Sequence, residues 1–172
     1  AQTPASPDWQ GLHAATRVAG LESRVFSAEH WWQLTLPGLT RERGFAVSQI
    51  GSSAQGRPLR HVQWGTGPTH VLLWSQMHGD ESTASMSLAD LLAWLGDAPD
   101  DPLVRQIGQQ LTLHLVPILN PDGAARFQRR NAQGIDINRD AAALATPEGR
   151  ALKALRDRLQ PAYGFNLHDQ RP

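Results

Sequence analysis

His78-Gly79-Asp80-Glu81 is the stretch of this sequence with the plainest capacity for chemistry. An imidazole in a loop and a carboxylate three positions later, at a helix start, can turn onto one cation. Zinc takes such donors at about 2.0–2.2 Å, and a catalytic zinc uses three protein ligands and keeps one position for water. The third ligand has to come from another strand end, and His168, directly after the strand-like Tyr163–Leu167, is placed for it. A plainer reading exists: His78 as a loop histidine bonded to backbone, and Glu81 as an anion favoured in a first helical turn. Asn138-Arg139 sets an amide beside a planar guanidinium, a pairing that suits a carboxylate. Arg129 is a candidate fixed positive charge where an oxyanion forms. Against these roles, any one of the fifteen arginines can be a solvated surface charge.

Composition narrows the chemistry. Zero cysteines remove disulfides, thiolate zinc sites, iron–sulfur clusters and thiol nucleophiles, so any metal rests on His, Asp or Glu. Lys153 is the only lysine, which leaves almost no candidate for a Schiff base or a P-loop. Sixteen basic and 16 acidic residues balance to a net charge of zero, against the basic face that nucleic-acid binding needs. Hydrophobic residues make up 40 % and charged residues 19 %, a globular composition in a chain of one-domain length. Apolar runs such as Val71–Trp74 are far too short to cross a bilayer, so no membrane span is expected. The opening Ala-Gln-Thr-Pro has no apolar leader and reads as a mature end after signal cleavage, giving a periplasmic or secreted bacterial location as the expectation.

Elements must position these residues. Residues 1–20 read as an extended arm before a domain over 21–172. A short helix is expected from Glu29 to Leu36, and strands over 45–50, 59–64, 70–75, 111–116 and 163–167. Helices are expected over Glu81–Leu95, with Asp80 as its cap, over Leu103–Gln109, and from Thr146-Pro147-Glu148 to Leu159. Asn120-Pro121-Asp122-Gly123 reads as a turn. Strands alternating with helices predict an α/β fold with reactive groups at strand ends. Among the remaining histidines, His114 reads as a packed or surface residue, and His13, His30, His61 and His70 show no partner pattern. The tryptophans read mostly as core, although Trp31 and Trp32, being adjacent, do not easily face one core.

Taken in order, Gly56-Arg57-Pro58, His78-Gly79-Asp80-Glu81, Asn120-Pro121-Asp122-Gly123, Arg129-x-Asn131-x-x-Gly134, Ile135-Asp136-Ile137-Asn138-Arg139 and Leu167-His168-Asp169 resemble the zinc carboxypeptidases of the carboxypeptidase A type, over about residues 45–170. The resemblance implies an α/β/α sandwich around a mixed, mostly parallel sheet. It implies one Zn2+ held by His78, Glu81 and His168, with Arg129 polarising the scissile carbonyl and Asn138 and Arg139 binding the substrate's C-terminal carboxylate. The expected activity is hydrolysis of the C-terminal bond of peptides or cell-wall peptide stems, through a water that zinc activates. The family's general-base glutamate and closing tyrosine lie downstream of the third ligand, so the chain is expected to be the amino-terminal part of a longer enzyme. No oligomeric state is assigned.

Two departures mark this sequence. Asp140 stands where many relatives carry Asn, and is expected to alter the pocket beside Arg139 or to pair with it. Asp80 stands where some relatives carry an arginine that contacts substrate. Asp136 is expected to hydrogen-bond near the site, and Asp169 to point away from His168. Two rivals stay open: a zinc deacylase of N-acyl-amino acids, of the succinylglutamate desuccinylase or aspartoacylase type, and a non-catalytic carboxylate-binding module without the base.

Overall fold

A computed structural model describes residues 6–169. Its centre is one five-stranded sheet in the order β1 (Phe45–Ser52), β2 (Pro58–Trp64), β4 (Leu111–Val116), β3 (Thr69–Ser75), β5 (Tyr163–Leu167). β2 runs antiparallel to β1 and β4, while β3 is parallel to β4 and β5. Four strands therefore share one direction, as a mixed and mostly parallel sheet requires. The near-continuous apolar run of β3 follows from its place inside the sheet, covered on both faces.

Helices α2 (Ala28–Thr35), α3 (Thr83–Asp97) and α4 (Pro102–Gln110) lie over one face, where Trp31, Val62, Leu88, Leu92, Leu95, Leu113 and Leu115 form the larger core. α6 (Pro147–Leu159) covers the other, where Leu155 meets Leu72, Val116, Leu119 and Ile137. No described helix is long and apolar enough to cross a membrane.

Several local expectations are corrected. The arm expected over residues 1–20 contains a helix, α1 (Trp9–Thr16), started by Asp8, whose carboxylate accepts the Gly11 N–H, and packed on α3; residues 1–5 lie outside the described part. Trp31 and Trp32 are both buried, edge to face at 4.7 Å. Their environments differ: the Trp31 indole N–H donates to the Ser85 carbonyl on α3, while the Arg60 guanidinium of β2 lies over Trp32. Asp80 does not cap α3, because Ser82 holds the N-cap position. Asn120-Pro121-Asp122-Gly123 opens a helix, α5 (Pro121–Arg126), rather than a turn: the Asn120 side chain accepts the Gly123 N–H and Pro121 sits where its missing N–H is harmless.

His61, His114 and His70 find partners in one another. His61 Nε2 lies 2.9 Å from His114 Nδ1, and His114 Nε2 lies 2.9 Å from His70 Nδ1. Neighbouring rings are within 18° of parallel. The row crosses β2, β4 and β3, strands that adjoin in space but not all in sequence, so no local pattern announces it.

Candidate metal centre

The register between β3 and β5 brings the site together. Ser75 pairs with Leu167, so both strands end at one sheet edge, with His168 just past β5 and His78 three residues past β3. Between Ser75 and His78 the chain turns sharply. Gln76 adopts the left-handed backbone at φ +51°, a strained conformation that its buried amide holds. Its Nε2 donates to the Gly79 carbonyl and its Oε1 accepts from the Ser85 hydroxyl, at 2.9 and 2.8 Å.

Gly79 is dictated by packing: a Cβ there would stand 2.1 Å from the backbone carbonyl carbon of Gly123. That contact presses the histidine loop onto α5. The fully buried Asn120 amide then donates to the carbonyls of Met77 and Arg129, each at 3.3 Å, and the Gly79 N–H also donates to the Arg129 carbonyl. The Arg129 backbone is thereby tied to the loop that carries His78 and Glu81.

The side chains converge accordingly. His78, Glu81 and His168 each offer a donor atom, and these atoms lie within 4.8 Å of one another. Both histidines present Nδ1 to the same carboxylate, His78 to Oε1 at 2.9 Å and His168 to Oε2 at 2.8 Å. His78 Nε2 lies 2.9 Å from Asp136 Oδ1, so its ring faces a carboxylate oxygen through each nitrogen. A neutral imidazole has one proton and can donate to only one of them. With Nε2–H given to Asp136, the Nδ1 lone pair faces Glu81, and a cation between the two satisfies both. Two imidazoles and a carboxylate, with a second carboxylate fixing one tautomer, fit zinc.

Arg129 adjoins the same group. Its Nε and Nη2 each lie 3.0 Å from Asp136 Oδ2, and its Nη1 lies 3.4 Å from Glu81 Oε1. Burial alone would raise the Glu81 carboxyl, but His168 and His78 outweigh it and hold it below the ordinary carboxylate value. Asp136 is likewise held low, its burial outweighed by His78 and Arg129. Both stay ionised, as metal binding and tautomer control need.

Asn138 and Arg139 stand on a 3-10 turn, Ile137–Arg139, that begins when Asp136 accepts the Asn138 N–H. The Asn138 side-chain carbonyl accepts from the Asn166 amide, beside an apolar hollow walled by Leu72, Trp74, Met77, Ile137 and Leu152. Arg139 is exposed, with no side-chain partner among the described residues. Asp140 does not pair with it: that buried carboxylate accepts from Ala145 N–H and from the backbone and hydroxyl of Thr146, fixing the loop into α6. Asp169 points away from the His168 ring, as expected, towards Arg24 and Thr83.

Two contributors are missed from sequence. Asn120 carries a signal, its motif, but is read there as a turn residue rather than as the amide bridging the two loops. Gln76 carries no sequence signal.

Comparison with known proteins agrees with this geometry. A family model described as zinc carboxypeptidase matches residues 40–161. Carboxypeptidase SOL1 of Arabidopsis thaliana is 35 % identical over 98 residues, covering 53 % of this chain and 20 % of that protein. A metallo-carboxypeptidase from Burkholderia cenocepacia superimposes with a TM-score of 0.74 at 27 % identity, covering 84 % of this chain and 41 % of that one. The chain thus spans under half the length of these relatives. With the family match running through the whole cluster except His168, the chain belongs to the zinc carboxypeptidase family.

Proposed function

We propose that this chain supplies the metal-binding and carboxylate-recognising part of a zinc metallocarboxypeptidase that removes the C-terminal residue of peptides, cell-wall peptide stems included. The convergence of His78, Glu81 and His168 on one point, with Asp136 Oδ1 2.9 Å from His78 Nε2, is the observation that carries this reading. Zinc held there supplies Lewis acidity towards the scissile carbonyl and acidifies a water. Asp136 keeps His78 Nδ1 free of a proton and aimed at the metal. Arg129 keeps its guanidinium at the edge of the cluster, where unused N–H groups remain to stabilise developing negative charge. Asn138 and Arg139, whose side chain meets no partner among the described residues, are the groups for a substrate's terminal carboxylate, a fork geometry that binds such a group through two hydrogen bonds. A location outside the cytoplasm, periplasmic or secreted, goes with this reading.

Metal analysis of the 172-residue chain after dialysis against metal-free buffer is the test. About one zinc per chain, lost in His168→Ala, is expected. Stoichiometric zinc retained by that variant overturns the ligand set. Hydrolysis of a blocked dipeptide, set against an N-acyl-amino acid, distinguishes a carboxypeptidase from a deacylase on the same scaffold.

A further inference from the structure

We infer that Arg24 and Asp169 form a clamp that sets the position of His168 against the other two proposed metal ligands. The inference rests on the zinc reading above and adds to it a positioning pair, both members of which lie outside the family match at residues 40–161.

His168 follows an edge strand and is itself exposed, so its place depends on what holds the chain on either side. On the near side Leu167 is fixed by its pairing with Ser75. On the far side Asp169 does the holding. Its N–H donates to Glu81 Oε2 at 3.3 Å, and its Oδ2 accepts from the Thr83 hydroxyl at 3.0 Å and from the Arg24 guanidinium. Thr83 is the first residue of α3, two positions after Glu81. The Asp169 carboxylate is 9 % exposed, enough to make an opposite charge beside it matter.

Ser82 completes the arrangement. As the N-cap of α3 it makes no side-chain cap bond; its hydroxyl donates instead to the Arg24 carbonyl at 2.6 Å. The helix start thus lacks its usual side-chain acceptor and takes the Asp169 carboxylate, an anion where the helix dipole favours one. Arg24 is held at its backbone by Ser82 and at its guanidinium by Asp169. Glu81, Ser82 and Thr83 therefore each touch a member of the clamp or its peptide, and His168 is locked to the start of α3, directly after Glu81.

The test is zinc affinity by chelator competition on the full chain, for wild type, Arg24→Ala, Asp169→Asn, the double variant and His168→Ala with and without Arg24→Ala. Each single clamp variant is expected to bind zinc about 10- to 100-fold more weakly, the range for groups that orient a ligand. The double variant should be no weaker than the worse single one, and Arg24→Lys should recover part of the loss. In the His168→Ala background Arg24→Ala should have no further effect, and thermal midpoints of the metal-free forms should stay close to wild type. Unchanged zinc affinity in both single variants overturns the clamp. So does an equal loss from Arg24→Ala with and without His168, which marks an ion pair that serves only folding. If His168→Ala binds zinc as tightly as wild type, the ligand reading itself fails, an outcome separate from either of these.

Discussion

Ser75 and Leu167 face each other across the parallel ladder of β3 and β5. That one register decides whether the site exists. A slip of one residue would turn every side chain of the edge strand to the opposite face and move His168 away from Glu81. The loop after β3 adds the second half of the alignment, because Gln76 in its left-handed conformation folds His78 and Glu81 back over the strand ends.

Glu81 receives both histidines on separate oxygens, which makes it the centre of the cluster. Glu81→Gln keeps the shape and removes the charge. We expect it to cut zinc affinity by more than the about 10- to 100-fold typical of losing a supporting group, while far-ultraviolet circular dichroism stays unchanged. Stoichiometric zinc in the purified, dialysed variant would show that Glu81 is not a ligand.

Asp136 is such a supporting group. Asp136→Ala frees His78 Nε2 and removes one of the two carboxylate partners of Arg129 at once. Zinc affinity should fall about 10- to 100-fold with the ligand set intact. Chelator competition measures it, and an affinity equal to wild type would mean that the tautomer of His78 is set by something else.

Much of this was legible in the sequence, and the reasons differ by element. The apolar run of β3 and the three- and four-residue spacing in α3 are strong local patterns, so the loop between them, with His78 and Glu81, could be placed in advance. The place of Asp136 beside His78 was legible through its ordered motif. The Arg24 and Asp169 contact was not, because it joins residues 145 apart with no local pattern on either side. The helix at Trp9–Thr16 was missed because its stabilisation comes from Asp8 and from packing on α3, which outweigh weak local patterning. The histidine row was missed because it depends on strand order, with β4 inserted between β2 and β3.

That row carries a prediction about acid stability. His61 and His114 are each pushed down to about 4, by burial first and then by the adjoining histidine and Arg158 of α6. His70 on β3 and Ser48 on β1, whose hydroxyl lies 3.4 Å from His61 Nδ1, complete their surroundings. An unfolded histidine titrates near 6.5, so the unfolded chain takes up protons first as pH falls. The stabilisation is therefore full above about 6.5 and is lost as pH drops towards 4. Urea midpoints of the metal-free protein at about pH 7, 5.5 and 4.5 should fall across this window. His114→Gln should be less stable at neutral pH and show a shallower fall. Parallel slopes for the two proteins would sink the assignment.

Arg139 offers the cleanest test of substrate direction, because its guanidinium is exposed and engaged by no other described side chain. Removing it should leave folding and zinc content unchanged, in contrast to Arg129, whose contacts run to Glu81 and Asp136. A hydrogen bond to a charged group contributes about 1.5–3 kcal/mol, or roughly 10- to 100-fold in affinity. Arg139→Ala should therefore weaken a free-acid peptide by about that factor and leave its C-terminal amide almost untouched, so that the two ligands converge. Equilibrium binding to the zinc-loaded chain, measured with both peptides, decides the point. If the variant still prefers the free acid as strongly as wild type does, the carboxylate is read elsewhere, and Asn138 beside the apolar hollow becomes the next residue to change.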